Sequence, residues 1–259
     1  MAAAGAEFEV NAKALALLWE PRATPSRGPR PTLSLEAIAR AGIEIADIGG
    51  LAAVTMQRVA AALDVTKMAL YRYVPGKVEL VALMVDMGVG EAPDLDAVPG
   101  GWRQRLHEWA LRMFDRFWRH PWALEATVGT RAIGPNELGW LEQGVAALAG
   151  TGLGGAEMLD VAATLLGHVR GVAQQGTAMA SGTPERAMVT TLAGLLRGRE
   201  GRYPAVVAAL DAAAEQGAQD KALDFGIARI LDGVELLIAG VPDRTRPPAR
   251  RVRRGTPRT

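Results

Sequence analysis

The stretch Thr55–Lys77 constrains the fold of this chain more than any other. It reads TMQRVAAALDVTKMALYRYVPGK, and its spacing predicts two short helices joined by a turn. A threonine precedes each helix, and its hydroxyl can satisfy one of the backbone N–H groups left unpaired at a helix start. We therefore expect one helix over Met56–Leu63 and a turn over Asp64–Thr66. A second helix then runs from Lys67 to about Tyr73.

The second helix is too short to be stable by itself, so neighbouring helices must hold it by packing. Leu70 provides the inward contact, while most of the other side chains on this helix point polar atoms outward. A short helix that displays Lys, Arg and Tyr side chains has the chemistry needed to read the DNA major groove. An ordinary pair of helices with solvated charges is the alternative that these residues leave open.

The whole ordered pattern resembles the helix-turn-helix signature of the tetracycline-repressor (TetR) family of bacterial transcription regulators. The resemblance rests on TMQRVAAALDV followed by ALYRYVPGK, and it extends over roughly Leu33–Asp86. It implies a DNA-binding protein, and repression is the common mode of regulation in this family.

Contacts to DNA are predicted around both short helices. Lys67 is placed to reach a base edge or a phosphate, and the Tyr71 and Tyr73 hydroxyls are suited to phosphate oxygens. Gln57 occupies a position that can read a base in the family's pattern. The predicted DNA-binding residues here are Thr55, Gln57, Arg58, Thr66, Lys67, Met68, Ala69, Tyr71, Arg72, Tyr73 and Lys77. For any one of them, a solvated surface position is the alternative.

An N-terminal extension, residues 1–32, precedes this motif. Its segment Pro21–Pro31 contains Arg22, Arg27 and Arg30 and no acidic residue. We predict that Arg27 and Arg30 contact DNA if the segment lies in the minor groove, whereas a disordered leader is the alternative. The N-terminus does not resemble a signal peptide, and no stretch approaches the roughly 20 apolar residues of a membrane span. We therefore expect a cytoplasmic protein.

The net charge is only +1, but it is distributed unevenly. Residues 21–80 carry eight Lys or Arg and five Asp or Glu, whereas residues 81–241 carry thirteen and nineteen. Such a division lets a basic region approach phosphate while an acidic body stays away from DNA. The tail, residues 242–259, carries seven Arg and one Asp. We expect it to be disordered, and it either adds non-specific DNA affinity or only solubilises the chain.

The rest of the chain has helical periodicity, and no segment alternates with the period of a strand. We predict an all-α fold with an N-terminal three-helix helix-turn-helix DNA-binding domain, 33–89, and a C-terminal helical ligand-binding and dimerisation domain, 90–241. Segments such as HPWALEATVGTR and LDFGIARILDGVELLI resemble the C-terminal domain of the tetracycline-repressor class. This resemblance implies that helices Ala156–Ala180 and Asp220–Ala239 pair across a two-fold axis in a homodimer. The helix Lys77–Val89 is predicted to belong to both domains.

Bulky aromatic residues are concentrated between Trp102 and Trp140, and Trp109, Met113 and Phe117 share one face of a helix. The family has a ligand cavity in this part of the fold, so we predict a pocket for a small, largely apolar or aromatic effector. Plain core packing is the alternative for the aromatic residues and for His168. The predicted ligand-binding residues are Trp109, Met113, Phe117, Trp122, Arg131, Trp140, His168 and Gln175.

Neither catalysis nor a metal is indicated. The chain has no cysteine and three histidines, and it lacks nucleophile-elbow, zinc-protease and P-loop motifs, so we predict no catalytic residues and no cofactor. Where the tetracycline-repressor class has a magnesium-binding histidine, this chain has Glu91-Ala92-Pro93. The sequence therefore predicts a ligand-responsive repressor that binds a palindromic DNA operator as a homodimer. A DNA-binding dimer without a small-molecule effector is the alternative.

Overall fold

The computed structural model describes residues 12–20, 33–177, 191–215 and 221–240 of the 259-residue chain. All regular structure in these ranges is helical, so the predicted all-α fold is confirmed. The helices are α1 (12–19), α2 (Leu35–Ala53), α3 (Met56–Ala62), α4 (Lys67–Tyr71), α5 (Lys77–Val89), α6 (Trp102–Arg119), α7 (Trp122–Ala126), α8 (Pro135–Ala146), α9 (Gly155–Thr177), α10 (191–196), α11 (Pro204–Glu215) and α12 (Ala222–Ala239), with a 3₁₀ turn at Glu200–Arg202.

Helix α2 supports the short helices that follow it. It begins where the Ser34 hydroxyl accepts a hydrogen bond from the backbone N–H of Ala37 (3.1 Å), as expected for an N-cap. Its buried side chains include Ile38 and Ile43. The helical φ/ψ pattern breaks at Gly50, which has φ of 72°, a conformation that favours glycine. The pair Gly49-Gly50 in the sequence predicts the end of this helix, but one further turn extends it to Ala53.

Helix α4 is shorter than predicted. The backbone N–H groups of Arg72 and Tyr73 bond to the carbonyls of Ala69 and Leu70, at 3.3 and 3.0 Å. These are bonds to the third preceding residue, so the chain tightens into a turn instead of continuing the α-helix. Helix α5 has the predicted bounds, Lys77–Val89.

Helix α5 joins the first helices to the rest of the molecule. It packs along α2 and also contacts α6, α7 and α8. The approach to α2 is close at Gly42, where an added Cβ would lie 2.7 Å from the sulfur of Met84. Helices α2 and α5 are therefore in close contact at this point.

The remaining helices pack around α6 and α9. Helix α9 contacts α6, α8 and α12, and α12 also contacts α6. Fully buried side chains such as Leu106, Trp109 and Leu165 lie between them. The sequence Thr183-Pro184-Glu185 predicts a helix start, with the helix running to about Arg197. Part of this segment lies outside the described residues, and its described part contains α10.

Candidate DNA-binding and ligand-binding sites

The turn between α3 and α4 fixes the orientation of α4. Asp64 has φ of 52°, which places it in the left-handed region, and the backbone N–H of Val65 bonds to the carbonyl of Ala60 (3.0 Å). The Thr66 hydroxyl then accepts from the backbone N–H of Ala69 (3.2 Å) and caps α4. Leu70 is fully buried and anchors the helix from below.

The predicted DNA-binding side chains lie on the outside of these helices. Met68 is 74% exposed and Tyr71 is 37% exposed, and Lys67 and Arg72 are also exposed. Of the others, Ala69 and Tyr73 are half-buried, and the exposed ones are Thr55, Gln57, Arg58, Thr66 and Lys77. Arg27 and Arg30 lie outside the described residues. Helix α4 thus displays cationic, hydroxyl and thioether groups together, a combination suited to phosphates and base edges.

Local contacts position several of these groups. The Lys67 ammonium lies 5.7 Å from the centre of the Tyr71 ring, one helical turn away. The Arg58 guanidinium donates to the carbonyl of Ala53 (3.1 Å) and the Lys77 ammonium to that of Leu51 (3.4 Å). Arg58 and Lys77 therefore cover the C-terminal carbonyls of α2, which favours cations, and they remain at the exposed edge.

A cavity of about 530 Å³ lies among α6, α8 and α9. Five of the predicted ligand-binding residues line it: Trp109, Met113, Phe117, Arg131 and Trp140. The Trp109 indole donates to the carbonyl of Trp140 (2.8 Å), and the Trp140 indole donates to that of Gly90 (3.0 Å). Because both indole N–H groups are already satisfied, these rings give the cavity mainly apolar surface.

Three predicted ligand residues lie away from this cavity. The Trp122 indole donates to Oδ1 of Asp47 (2.7 Å), so its polar group faces α2. Nε2 of His168 lies 3.1 Å from the carbonyl oxygen of Leu223, so this side chain faces α12. Gln175 is exposed. For His168, the contact agrees with the core-packing alternative.

Other residues that the sequence did not single out also line the cavity. They include Thr127, Glu137, Leu166 and Arg170. The sequence contains a feature that could have indicated Arg170. It is the one Lys or Arg between Arg131 and Arg186 and lies on a largely apolar helix. No such sequence feature indicates Glu137, because its role depends on its pairing with Arg131.

A buried carboxylate joins the cavity wall to α5. Oδ1 of Asp86 accepts from the backbone N–H groups of Asn136 (2.9 Å) and Glu137 (3.2 Å) at the start of α8. Burial raises the pKa of Asp86, and it outweighs these two hydrogen bonds, which lower that pKa. Glu137 in turn pairs with Arg131 on the cavity wall (Nη1 to Oε1, 2.7 Å). A chain of contacts therefore runs from the cavity through α8 to α5.

A second polar junction joins α2 to the helices of the body. Oδ1 of Asp47 accepts from the Trp122 indole, and Nδ1 of His120 lies 2.8 Å from the same oxygen. His120 ends α6 and Trp122 opens α7. The position of α2 is thus tied to the α6–α7 corner as well as to α5.

No grouping of three His, Asp or Glu side chains suited to a metal ion occurs in the described part of the chain. Within the same part, no helix is long and apolar enough to cross a membrane.

The exposed α4, capped and anchored beside α3, defines a helix-turn-helix DNA-binding regulator. Two family models agree with this class: "Bacterial regulatory proteins, tetR family" matches residues 38–84, and "Tetracyclin repressor-like, C-terminal domain" matches residues 93–238. The chain belongs to the TetR family of bacterial transcription regulators, so it is a DNA-binding regulator and not an enzyme.

Individual relatives are similar over most of the chain. The HTH-type transcriptional repressor DrrR1 of Streptomyces coeruleorubidus is 38% identical over 239 residues, covering 88% of this chain and 87% of the relative. An HTH-type transcriptional regulator of Saccharopolyspora erythraea is 30% identical over 179 residues, covering 68% of this chain and 75% of the relative.

Solved structures share the fold at lower identity. The crystal structure of apo ActR from Streptomyces coelicolor has a TM-score of 0.66 at 21% identity, covering 81% of this chain and all of that chain. The complex of ActR with actinorhodin also has a TM-score of 0.66, at 22% identity, covering 82% and 98%.

Proposed function

We propose that this regulator is a homodimeric repressor that binds a palindromic operator through α4 and leaves it when a small, largely apolar or aromatic effector fills the cavity. The observation that carries this proposal is that α5 connects the helix-turn-helix to the cavity. Lys77 at its start donates to the carbonyl of Leu51 near the end of α2, which packs against α3, and Val89 at its end lines the cavity. The similarity to the repressor DrrR1 supports repression as the mode of regulation. The complex of ActR with actinorhodin supports a small-molecule effector.

Dimerisation is supported by apolar side chains that α9 and α12 expose in one chain. Leu159 on α9 is 50% exposed, and Phe225 and Leu236 on α12 are 66% and 75% exposed. A contiguous exposed apolar patch marks an interaction surface, and we propose that these side chains contribute to one such patch. A second copy related by two-fold symmetry would cover it and present two α4 helices to successive major grooves.

The release mechanism follows from the contacts of Asp86. An effector that displaces Arg131 or shifts Glu137 would move the N-terminus of α8, and Asp86 would transmit that shift to α5. A tilt of α5 changes the distance between the two α4 helices of the dimer, so they no longer match successive grooves. The cavity volume of about 530 Å³ falls in the range of small-molecule sites, which favours this mechanism over a dimer without an effector.

Selection of genomic DNA fragments by the purified full-length chain tests the DNA-binding part. We expect enrichment of a palindrome with half-sites about one helical turn apart, and an affinity that falls steeply with salt. A binding isotherm with one dimer per palindrome supports the proposal. Recovery of fragments without two-fold symmetry, or a complex with one chain per site, would contradict it.

Asp86→Ala tests the release mechanism, because it removes the acceptor of both backbone N–H groups of α8. We expect the variant to keep operator binding and effector binding. The factor by which the effector weakens operator binding should fall about tenfold, which is within the usual range of coupling energies. Asp115→Ala is the matched control, since Asp115 is an exposed carboxylate that pairs only with Arg119 one turn away on α6. If Asp86→Ala leaves the coupling between effector and operator unchanged, Asp86 does not transmit the shift of α8 to α5.

A further inference from the structure

The two guanidinium groups that line the cavity have different partners. Arg131 is paired with the Glu137 carboxylate through both of its terminal nitrogens. Arg170 instead donates to neutral oxygens, the hydroxyl of Thr127 and the carbonyl of Leu124 (2.8 Å to the carbonyl). Within the described ranges, no carboxylate oxygen lies within 4.0 Å of Arg170. Arg170 therefore carries a cavity charge without an acidic partner among these residues.

The surroundings of Arg170 strengthen its attraction for an anion. Its guanidinium is half-buried and lies 5.2 Å from the centre of the Phe117 ring. Burial lowers the pKa of Arg170, and the nearby Arg131 charge lowers it further, although an arginine remains protonated in proteins. A partly desolvated cation beside a second cation is stabilised by any anion that reaches it.

No other acidic group of the cavity is placed to supply that anion. Glu137 is already held by Arg131. Asp160, the other acidic residue in the lining, is exposed and lies on α9 ten residues before Arg170, which is about 15 Å along a helix axis. The end of the cavity near Arg170 therefore has an excess of positive charge, while most of the other lining residues are aromatic or aliphatic.

We propose, on the basis of the effector role proposed above, that the cavity selects planar aromatic acids. The ring system would lie against Phe117 and Trp140, and an anionic oxygen, either carboxylate or phenolate, would accept hydrogen bonds from Arg170. Arginine has five N–H donors, and the contacts named above occupy two of its nitrogens, so donors remain for a ligand. Charge-assisted hydrogen bonds of this kind are roughly twice as strong as those between neutral groups.

Two aromatic probes of equal shape test this selectivity. Anthraquinone-2-carboxylate and anthraquinone-2-carboxamide differ in charge but hardly in size, and naphthalene-2-carboxylate with its carboxamide repeats the comparison on a smaller ring. Binding is followed at neutral pH through the fluorescence of Trp109 and Trp140, which line the cavity. We expect Kd to be about tenfold lower for each carboxylate than for its carboxamide.

The variant Arg170→Met assigns the preference to this residue. Met keeps an unbranched apolar side chain and removes the charge, so the ratio of the two Kd values should fall to about one. Arg170→Lys, which keeps a charge, should retain part of the ratio. Arg112→Met is the matched control, because Arg112 is exposed and pairs with Glu108 one turn away on α6. It should keep the wild-type ratio. Comparing two ligands on one variant cancels a general loosening of the fold.

The outcomes separate this inference from the proposed function. Equal binding of acid and amide by the wild type, or a preference that survives in Arg170→Met, would overturn the selectivity and leave the effector cavity in place. Failure of all four probes to bind would overturn both. An acid preference that Arg170→Met abolishes and Arg112→Met retains would establish the selectivity.

Discussion

Helix α4 buries one of its five residues, whereas helix α6 buries five of its eighteen. On α4 the buried residue, Leu70, only anchors the helix, and the exposed side chains are the candidates for DNA contact. On α6 the buried face includes Trp109, Met113 and Phe117, which pack the core and line the cavity as well. On α4, the residue that stabilises the helix is thus separate from the candidate DNA-binding residues, whereas on α6 the same residues pack the core and line the cavity.

This difference sets what a substitution can reveal in each region. An exposed residue of α4 can be changed with little effect on the folded state, so a loss of DNA affinity reports directly on contact. A residue of the α6 face cannot be changed without altering the core, so ligand affinity must be compared between ligands on one variant.

The largest effect is expected from the anchor of α4. Leu70→Ala should lower the free energy of unfolding by about 3–4 kcal/mol, because it leaves a cavity beneath a helix too short to hold itself. Urea unfolding followed by circular dichroism measures this change. Met68→Ala, two residues away and 74% exposed, is the control and should stay within about 0.5 kcal/mol. Similar losses of stability in both variants would contradict the distinction between a buried anchor and exposed side chains on α4.

A somewhat smaller loss of stability is expected on α6, together with a loss of ligand binding. Phe117→Ala should lower the free energy of unfolding by about 3 kcal/mol, at the low end for a buried aromatic residue because one side of the ring already borders a cavity. Binding of the aromatic probes should weaken in the same variant. Operator affinity at a temperature where the variant is folded should stay near the wild-type value. Loss of stability with unchanged probe binding would remove Phe117 from the binding surface.

On the exposed side of α4, Lys67→Ala should reduce operator affinity by about 1–3 kcal/mol and leave the unfolding free energy nearly unchanged. If Lys67 contacts a phosphate, the slope of log affinity against log salt should fall by about one. A fluorescence anisotropy titration at several salt concentrations measures both quantities. Arg112→Ala on α6 is the matched control for loss of one exposed cation. Equal affinity of Lys67→Ala and wild type would argue against α4 as the reading helix.

The smallest expected effect concerns the pH dependence of stability. Because the pKa of Asp86 is raised above its usual value of 3.8, the folded state binds this proton more tightly than the unfolded state. The contribution of Asp86 to stability therefore falls as pH rises from 3.8 through the folded-state pKa. In Asp86→Asn the amide oxygen can still accept from α8, and this fall should disappear.

Unfolding curves of wild type and Asp86→Asn between pH 4 and pH 7 follow this change. The variant should gain stability relative to wild type as pH rises across that window. A relative loss with rising pH would show that the hydrogen bonds from α8, and not burial, control this carboxylate.

The helix-turn-helix formed by α3 and α4 was largely predictable because the sequence features that define it act locally. Thr55, Thr66 and Leu70 act within a few residues of their own positions, so the sequence pattern alone placed the caps, the turn and the anchor. The end of α2 was missed since a left-handed glycine such as Gly50 can interrupt a helix without ending it.

The cavity was less predictable because its polar residues depend on packing between distant segments. Trp109, Met113 and Phe117 followed from one helical face, but the direction of Trp122 is set by Asp47 on α2. His168 faces α12 for a similar reason. The role of Arg170 depends on α7 and Phe117, and no periodicity in α9 indicates those neighbours.

The most direct test of the link between the two sites is the affinity of the full-length protein for its selected operator, measured without and with a saturating concentration of the tightest-binding aromatic acid. We expect that Kd for the operator rises when the cavity is filled, and that Kd for the acid rises by the same factor when the operator is bound. An operator Kd that is identical with the cavity empty and filled would contradict the claim that α5 links the two sites.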